Sequence, residues 1–276
     1  MKYVKLTFQY MRNKHFWKLA LMSIVPSLLI SLVSSFGSTI KLFIRFFDLT
    51  EFDFKTLHRL LDDKSMQRFD WVYYVSMIVI LFLLTMILSV FIGTMQRHMR
   101  TGKFQITNVF KRINENFMPS FLSLLAIYLF IFLYGIAVSL VMSLWFTVMH
   151  NNVATFVLSL IFMIGAFIVM VLVIALFSMT APNIVCTGQK IRDSVSLSIR
   201  TVGPKIVPLS IAFVFPLIPL FALQIGISFA NIRALQFVTD VVMMICLSCY
   251  YPVLIFVTYY DLFDRDREDL LPENRL

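Results

Sequence analysis

The chain alternates three times between a short basic stretch of amphipathic pattern and a pair of long apolar segments. The basic stretches are residues 1–18, 97–117 and 189–205. The apolar pairs are 16–36 with 71–95, 118–149 with 153–181, and 206–230 with 235–260. A helix needs about 20 predominantly apolar residues to cross a bilayer, and each of the six segments is long enough. The pattern predicts an all-α polytopic membrane protein with six transmembrane helices and basic interfacial helices before spans 1, 3 and 5. The third and fourth segments exceed the hydrocarbon thickness, so they must tilt, kink or project beyond it. Residues 1–276 read as a single integral membrane domain with one sizeable external loop, 37–70.

In the second basic stretch, Ile106, Val109, Phe110, Ile113 and Phe117 recur at helical spacing, opposite Asn108, Lys111, Arg112 and Glu115. In the third, Ile191, Val195, Ile199 and Val202 form the apolar stripe, opposite Lys190, Arg192, Asp193 and Ser196. The first has Val4, Phe8 and Met11 on one side. Helices of this kind lie in the membrane interface, apolar face in the acyl region and cations at the headgroups. One reading is that they only orient the following span. The other is a cytoplasmic docking platform or lipid-headgroup collar, carried by Lys111, Arg112, Lys190, Arg192 and Arg200. In the external loop, Thr50-Glu51-Phe52-Asp53 reads as a capping box, and Phe54, Leu57 and Leu61 follow at helical spacing. A short external helix is expected there.

Composition removes the water-soluble alternatives. Hydrophobic residues make up 59% of the chain and charged residues 14%, against about 25% charged in a soluble domain. Positive charge sets the orientation. The segments before spans 1, 3 and 5 and after span 6 hold most of the 24 basic residues, whereas the opposite side holds Lys41, Arg45, Lys55, Arg59, Lys64, Arg68 and Arg233. All of these but Arg233 lie in the external loop among acids. Both termini are therefore expected in the cytoplasm. The net charge of +9 suits anionic lipid headgroups, each juxtamembrane cation contributing about 1 kcal/mol; no motif for nucleic acid accompanies it. The first apolar segment is longer than the core of a cleaved signal peptide and lacks a small-residue cleavage site, so it reads as a retained helix.

Ionisable and polar groups inside spans are the default functional candidates. Asp240 lies within span six, seven residues after Arg233 and on the same helical face. Span five contributes Gln224, and Pro216 and Pro219 interrupt its backbone hydrogen bonds. Carbonyls freed by the prolines must find neighbours or water. Pro216, Pro219, Gln224 and Asp240 would then line a polar cavity between spans five and six; the alternative is that Asp240 pairs with Arg233 or sits at the wet interface. Gly135, Ser139 and Ser143, with Thr155 and Ser159 on the next span, mark close helix contact. Cys246 and Cys249 have CxxC spacing, but within an apolar helix they read as small residues on a packing face. The histidines (His15, His58, His98 and His150) are scattered, so neither a metal nor a cofactor is expected. Trp17, Trp71, Tyr73, Tyr74, Trp145, Tyr259 and Tyr260 fall where an interfacial aromatic belt belongs. Walker A, GxSxG, HExxH and dinucleotide signatures are missing. The acids near the C-terminus, Asp261, Asp264, Asp266, Glu268 and Asp269, alternate with Arg265 and Arg267 as a solvated charge run. No enzyme is expected.

Four segments carry a resemblance: Asn13-Lys14-His15-Phe16-Trp17-Lys18, Ala181-Pro182-Asn183-Ile184-Val185-Cys186, the serine-rich run 193–200, and Tyr259-Tyr260-Asp261-Leu262. The chain resembles a loose bacterial superfamily of six-span proteins. That superfamily includes the membrane domain found beside glycerophosphodiester phosphodiesterases, and stand-alone relatives. Its usual acidic residue before glycine is Thr187 here, ahead of Gly188. No phosphodiesterase domain is present, so that activity is not implied. The resemblance and the residues together predict a non-catalytic integral component of a bacterial plasma membrane. It would be an accessory, scaffold or lipid-interacting subunit, with membrane lipids and another membrane protein as partners. The alternative is a transport protein, such as the permease half of an exporter with a separate ATPase. An intramembrane lipid enzyme is the weakest reading, since clustered acids and histidines are scarce.

Overall fold

The computed structural model describes residues 1–12, 16–33, 71–102, 109–148, 153–230 and 233–268. The expected external helix in 37–70 and the turn at His150 lie outside these residues. The order is α1 (Lys2–Met11), α2 (Phe16–Val33), α3 (Trp71–Thr101), α4 (Val109–Val148), α5 (Val153–Phe177), α6 (Thr180–Thr187) and α7 (Ile191–Val202). A 3₁₀ turn (Gly203–Lys205) then leads into α8 (Ile206–Val214), α9 (Leu217–Ala230) and α10 (Arg233–Leu262). Among the described residues all regular structure is helical. Four helical runs are long and apolar enough to cross a membrane: Leu81–Thr101, Ile164–Thr187, Ile191–Ile227 and Ala234–Leu262. The chain is an all-α membrane protein.

Helix α10 is the central element. It packs on α2 along its length, on α9 as a hairpin, and on α1, α3 and α6 toward its C-terminal end. The main core lies at that end, where Tyr10, Met95, Met179, Val202, Phe256 and Tyr259 are buried together. The other long contact is the antiparallel pair α3 and α4.

The second basic stretch is not a separate interfacial helix. Residues 97–101 form the last turn of α3, which ends at Gly102 in the left-handed region (φ 65°). Residues 109–117 are the first turns of α4, which continues through Pro119 to Val148. The reason is local. Residues 109–118 hold no glycine or proline, and Pro119 does not end the helix, so the helix that begins in the polar stretch runs on into the apolar one.

Span four ends earlier than its apolar composition suggested. At the end of α5 both the backbone N–H and the hydroxyl of Ser178 turn back to the Ala175 carbonyl, at 3.2 and 2.7 Å. This local side-chain bond competes with continuation of the helix. A short new helix, α6, then starts with Pro182 in its first turn, where a missing N–H leaves nothing unsatisfied. It stops at Gly188, whose φ of 69° needs a residue without a side chain.

Span five is two helices. Pro216 sits in the turn between α8 and α9, as the sequence predicts for a proline inside an apolar run. Span six, by contrast, is unbroken despite Pro252.

Candidate functional site

The two groups of candidate residues occupy different places, one in the α9–α10 hairpin and one at the end of the bundle where the basic segments meet. In the hairpin, the Gln224 side-chain amide donates to the Asp240 carboxylate at 2.9 Å. Both are almost fully enclosed, at 0% and 2% exposure. Gln224 lies six residues before the end of α9 and Asp240 seven after the start of α10, so antiparallel pairing alone brings them nearly level. Gln236, one turn before Asp240 on the same face, is also buried. A buried acid is tolerable in an apolar helix only when such hydrogen bonds replace its water.

Of the two prolines, Pro216 is half-buried in the turn before α9, and Pro219 is exposed on α9. The four expected cavity residues are therefore not one site. Arg233 begins α10, and its side chain lies outside the description. The carbonyls around the Pro216 break find donors on α10: Tyr250 donates to Ala212 at 2.9 Å and Tyr251 to Phe213 at 3.1 Å.

At the other locus, α1 lies across the core as a clamp. Its inward face is Tyr3, Val4, Thr7 and Tyr10, while Phe8 is 45% exposed. The expected apolar side of Val4, Phe8 and Met11 is thus only partly the inward one. The tyrosines displace it because their rings fill the space and their hydroxyls find polar neighbours. Lys2 pairs with Asp261 at 2.7 Å, Tyr10 Oη meets His98 Nδ1 at 2.7 Å, and Arg267 lies over the Tyr10 ring at 5.8 Å. Burial first, and then the Asp261 carboxylate, raise the Tyr3 phenol above its ordinary pKa. Tyr259 and Tyr260 are buried beneath this assembly and so are not part of an aromatic belt. Arg265 stacks over Tyr259 at 5.1 Å. Trp17, by contrast, is 57% exposed, with Lys18 over its ring.

The third basic stretch forms α7, and of the apolar stripe only Val202 is fully buried on its inward face. Ser194, Ser198 and Val202 are fully buried, while Ile191 and Ile199 stand exposed. Small hydroxyl residues let α7 approach α5 and α6 closely. The Ser198 hydroxyl donates to the Leu176 carbonyl at 2.5 Å, and the Asn183 amide to the Ser194 carbonyl at 3.4 Å. Lys190, Arg192 and Arg200 all point away from the protein and are exposed. Lys111 is exposed on the first turns of α4, beside Glu115 at 3.8 Å. Arg112 is on the same helix, with its side chain outside the description.

Sequence reasoning missed two features. Ser23, Ser27 and Ser31 form a buried stripe on α2, and Ser23 meets Cys249 at 3.3 Å. Their four-residue spacing was the available signal. The Tyr10–His98 contact had none, because 88 residues separate the partners. Of the two cysteines in span six, Cys249 packs inward and Cys246 is exposed. Among the described residues no group of three or more His, Cys, Asp or Glu side chains is placed to hold a metal ion.

No protein-family model, curated protein or solved structure matches the chain.

Proposed function

We propose that the chain is a non-catalytic integral component of a bacterial plasma membrane, an accessory or scaffold subunit acting through lipid and protein contacts. One observation carries this reading. The run Ile191–Ile227 is only 17% buried in its most apolar window and Ile164–Thr187 only 28%, against 50% for Leu81–Thr101 and Ala234–Leu262. Ile161, Ile168, Val207 and Ile218 are each more than half exposed. An apolar perimeter of that extent requires lipid or a partner helix to cover it. In this reading the chain crosses six times and both termini are cytoplasmic. Support comes from the basic ends of α3 and α4, which pack against α6. The resemblance to the six-span superfamily belongs to the same proposal; its segment in α6 packs against both α7 and α10, which carry two of the others.

Affinity purification in mild detergent after crosslinking in cells tests the function. A specific membrane-protein partner is expected, and a chain recovered alone under every crosslinker would defeat the scaffold reading. Impermeant thiol labelling of single cysteines at positions 5, 45 and 265 tests the orientation, with only position 45 expected to react from outside.

A second reading, a transport protein or permease subunit, is favoured by one feature: the enclosed Gln224–Asp240 pair beside a broken span. Solute or ion flux in proteoliposomes that disappears in Asp240→Asn would establish it.

A further inference from the structure

The exposed face of α7 lies one 3₁₀ turn, Gly203–Lys205, before exposed aliphatic positions of the membrane-crossing run. Ile199, Val207 and Ile211 are separated by eight and four residues and are exposed at 43%, 61% and 48%. Arg192, Ser196 and Arg200 follow the same four-residue step and are likewise exposed. The exposed face of α7 therefore carries a cationic row, Arg192, Ser196 and Arg200, next to the aliphatic row that holds Ile191 and Ile199. On the opposite side the Ser198 hydroxyl holds α7 to the Leu176 carbonyl, so this face has a fixed orientation.

We propose that this face binds an anionic phospholipid. Its phosphate would lie at Ser196 between Arg192 and Arg200, with an acyl chain along Ile199, Val207 and Ile211. The dimensions suit one headgroup. Arg192 and Arg200 are about 12 Å apart along the axis, and Ser196 lies midway, within reach of both guanidinium groups. Arginine forks match phosphate oxygens in a bidentate manner, and the serine hydroxyl adds a donor. The sole acid of α7, Asp193, is in the first turn, where the helix N-terminus favours it. Charge complementarity and the exposed aliphatic side chains of α7 and of the apolar run that follows it select a lipid over a soluble anion.

This inference rests on the membrane reading above. The full chain would be extracted from vesicles of mixed phosphatidylglycerol and phosphatidylcholine, and its retained lipids weighed by native mass spectrometry. Wild type should keep phosphatidylglycerol in preference to phosphatidylcholine. The pair R192Q/R200Q should retain at least about tenfold less of it, whereas K5Q/R12Q, which removes equal charge from exposed positions on α1, should behave as wild type. Equal retention by R192Q/R200Q and wild type would overturn the proposal, as would displacement of the bound species by millimolar glycerol phosphate, which marks a free-phosphate site. Carbonate washing of the same membranes separates the two failures. A chain released by the wash refutes the membrane reading, whereas one that stays inserted without lipid preference refutes only this site.

Discussion

Tyr250 donates its hydroxyl to the carbonyl of Ala212 at 2.9 Å, the carbonyl that Pro216 leaves without its helical donor. Residue 216 is four positions after Ala212, so a residue with an N–H there would complete the helical bond. The break in span five and the tyrosine in span six are thus two halves of one arrangement. Replacing Tyr250 with Phe leaves a carbonyl enclosed in protein without a donor, which costs about 1–3 kcal/mol. Pro216→Ala restores a backbone donor, so it should recover part of that loss in the Y250F background and not in wild type. A double-mutant cycle on unfolding in mixed detergent reads the coupling. Additive effects would dissociate the two residues.

The Gln224–Asp240 bond makes a different demand. Asp240→Asn keeps an oxygen for the Gln224 amide to meet, while Asp240→Ala removes it and leaves a buried amide, again about 1–3 kcal/mol. On the scaffold reading, D240N should retain the partner in affinity purification at the wild-type level. Loss of a measured flux in D240N, with the fold and the partner intact, would move the assignment to transport.

How much of this was legible in advance depends on what kind of signal each feature has. Apolar length marked the crossing runs, and Pro216 marked the broken span, because both act within a few residues. The level pairing of 224 with 240 follows from a short hairpin. The inward face of α7 was not legible: its pattern sets Ile191, Val195, Ile199 and Val202 on one stripe turned toward the acyl region, and leaves open which residues meet the protein. Near lipid, apolar exposure carries no penalty, so close packing selects the serines instead. The Tyr10–His98 contact joins distant segments and leaves no local trace. The extent of α4 was misjudged because a change from polar to apolar residues is not itself a helix stop.

The α1 clamp predicts unequal effects for its anchors. Tyr10→Ala should destabilise by about 3–5 kcal/mol through the lost ring volume, whereas Tyr10→Phe loses only the contact with His98, about 1 kcal/mol. Lys2→Ala should change stability by less than about 1 kcal/mol, since the Lys2 side chain in its pair with Asp261 is 63% exposed. Thermal unfolding in one detergent checks the order, and a Lys2→Ala loss equal to that of Tyr10→Ala would invert it.

Asp264 ends α10 with φ of 49°, and the next N–H, that of Arg265, bonds to the Tyr260 carbonyl at 3.0 Å. A side chain at positive φ is strained, and glycine removes the strain. Asp264→Gly should therefore stabilise by about 0.5–1 kcal/mol, less the added entropy of the unfolded chain. Asp264→Val should destabilise, because a β-branched residue fits that conformation worst. If both substitutions lower the melting temperature equally, the left-handed turn is not what limits this end of the helix.

Tyr3 supplies a pH dependence whose sign can be worked out. Its phenol is raised above the ordinary value by burial and by Asp261, so the folded state holds that proton more tightly than the unfolded one. The associated stability is fully present below about pH 10, where both states are protonated, and is lost as pH rises through the raised folded value. Tyr3→Phe has no proton to lose and should unfold with a shallower alkaline slope than wild type. The comparison belongs in a Lys2→Arg background, since a guanidinium keeps its positive charge beside Asp261 throughout. Melting temperatures between about pH 9 and 12 give the two slopes, and identical slopes would show that α1 does not hold the Tyr3 proton in place.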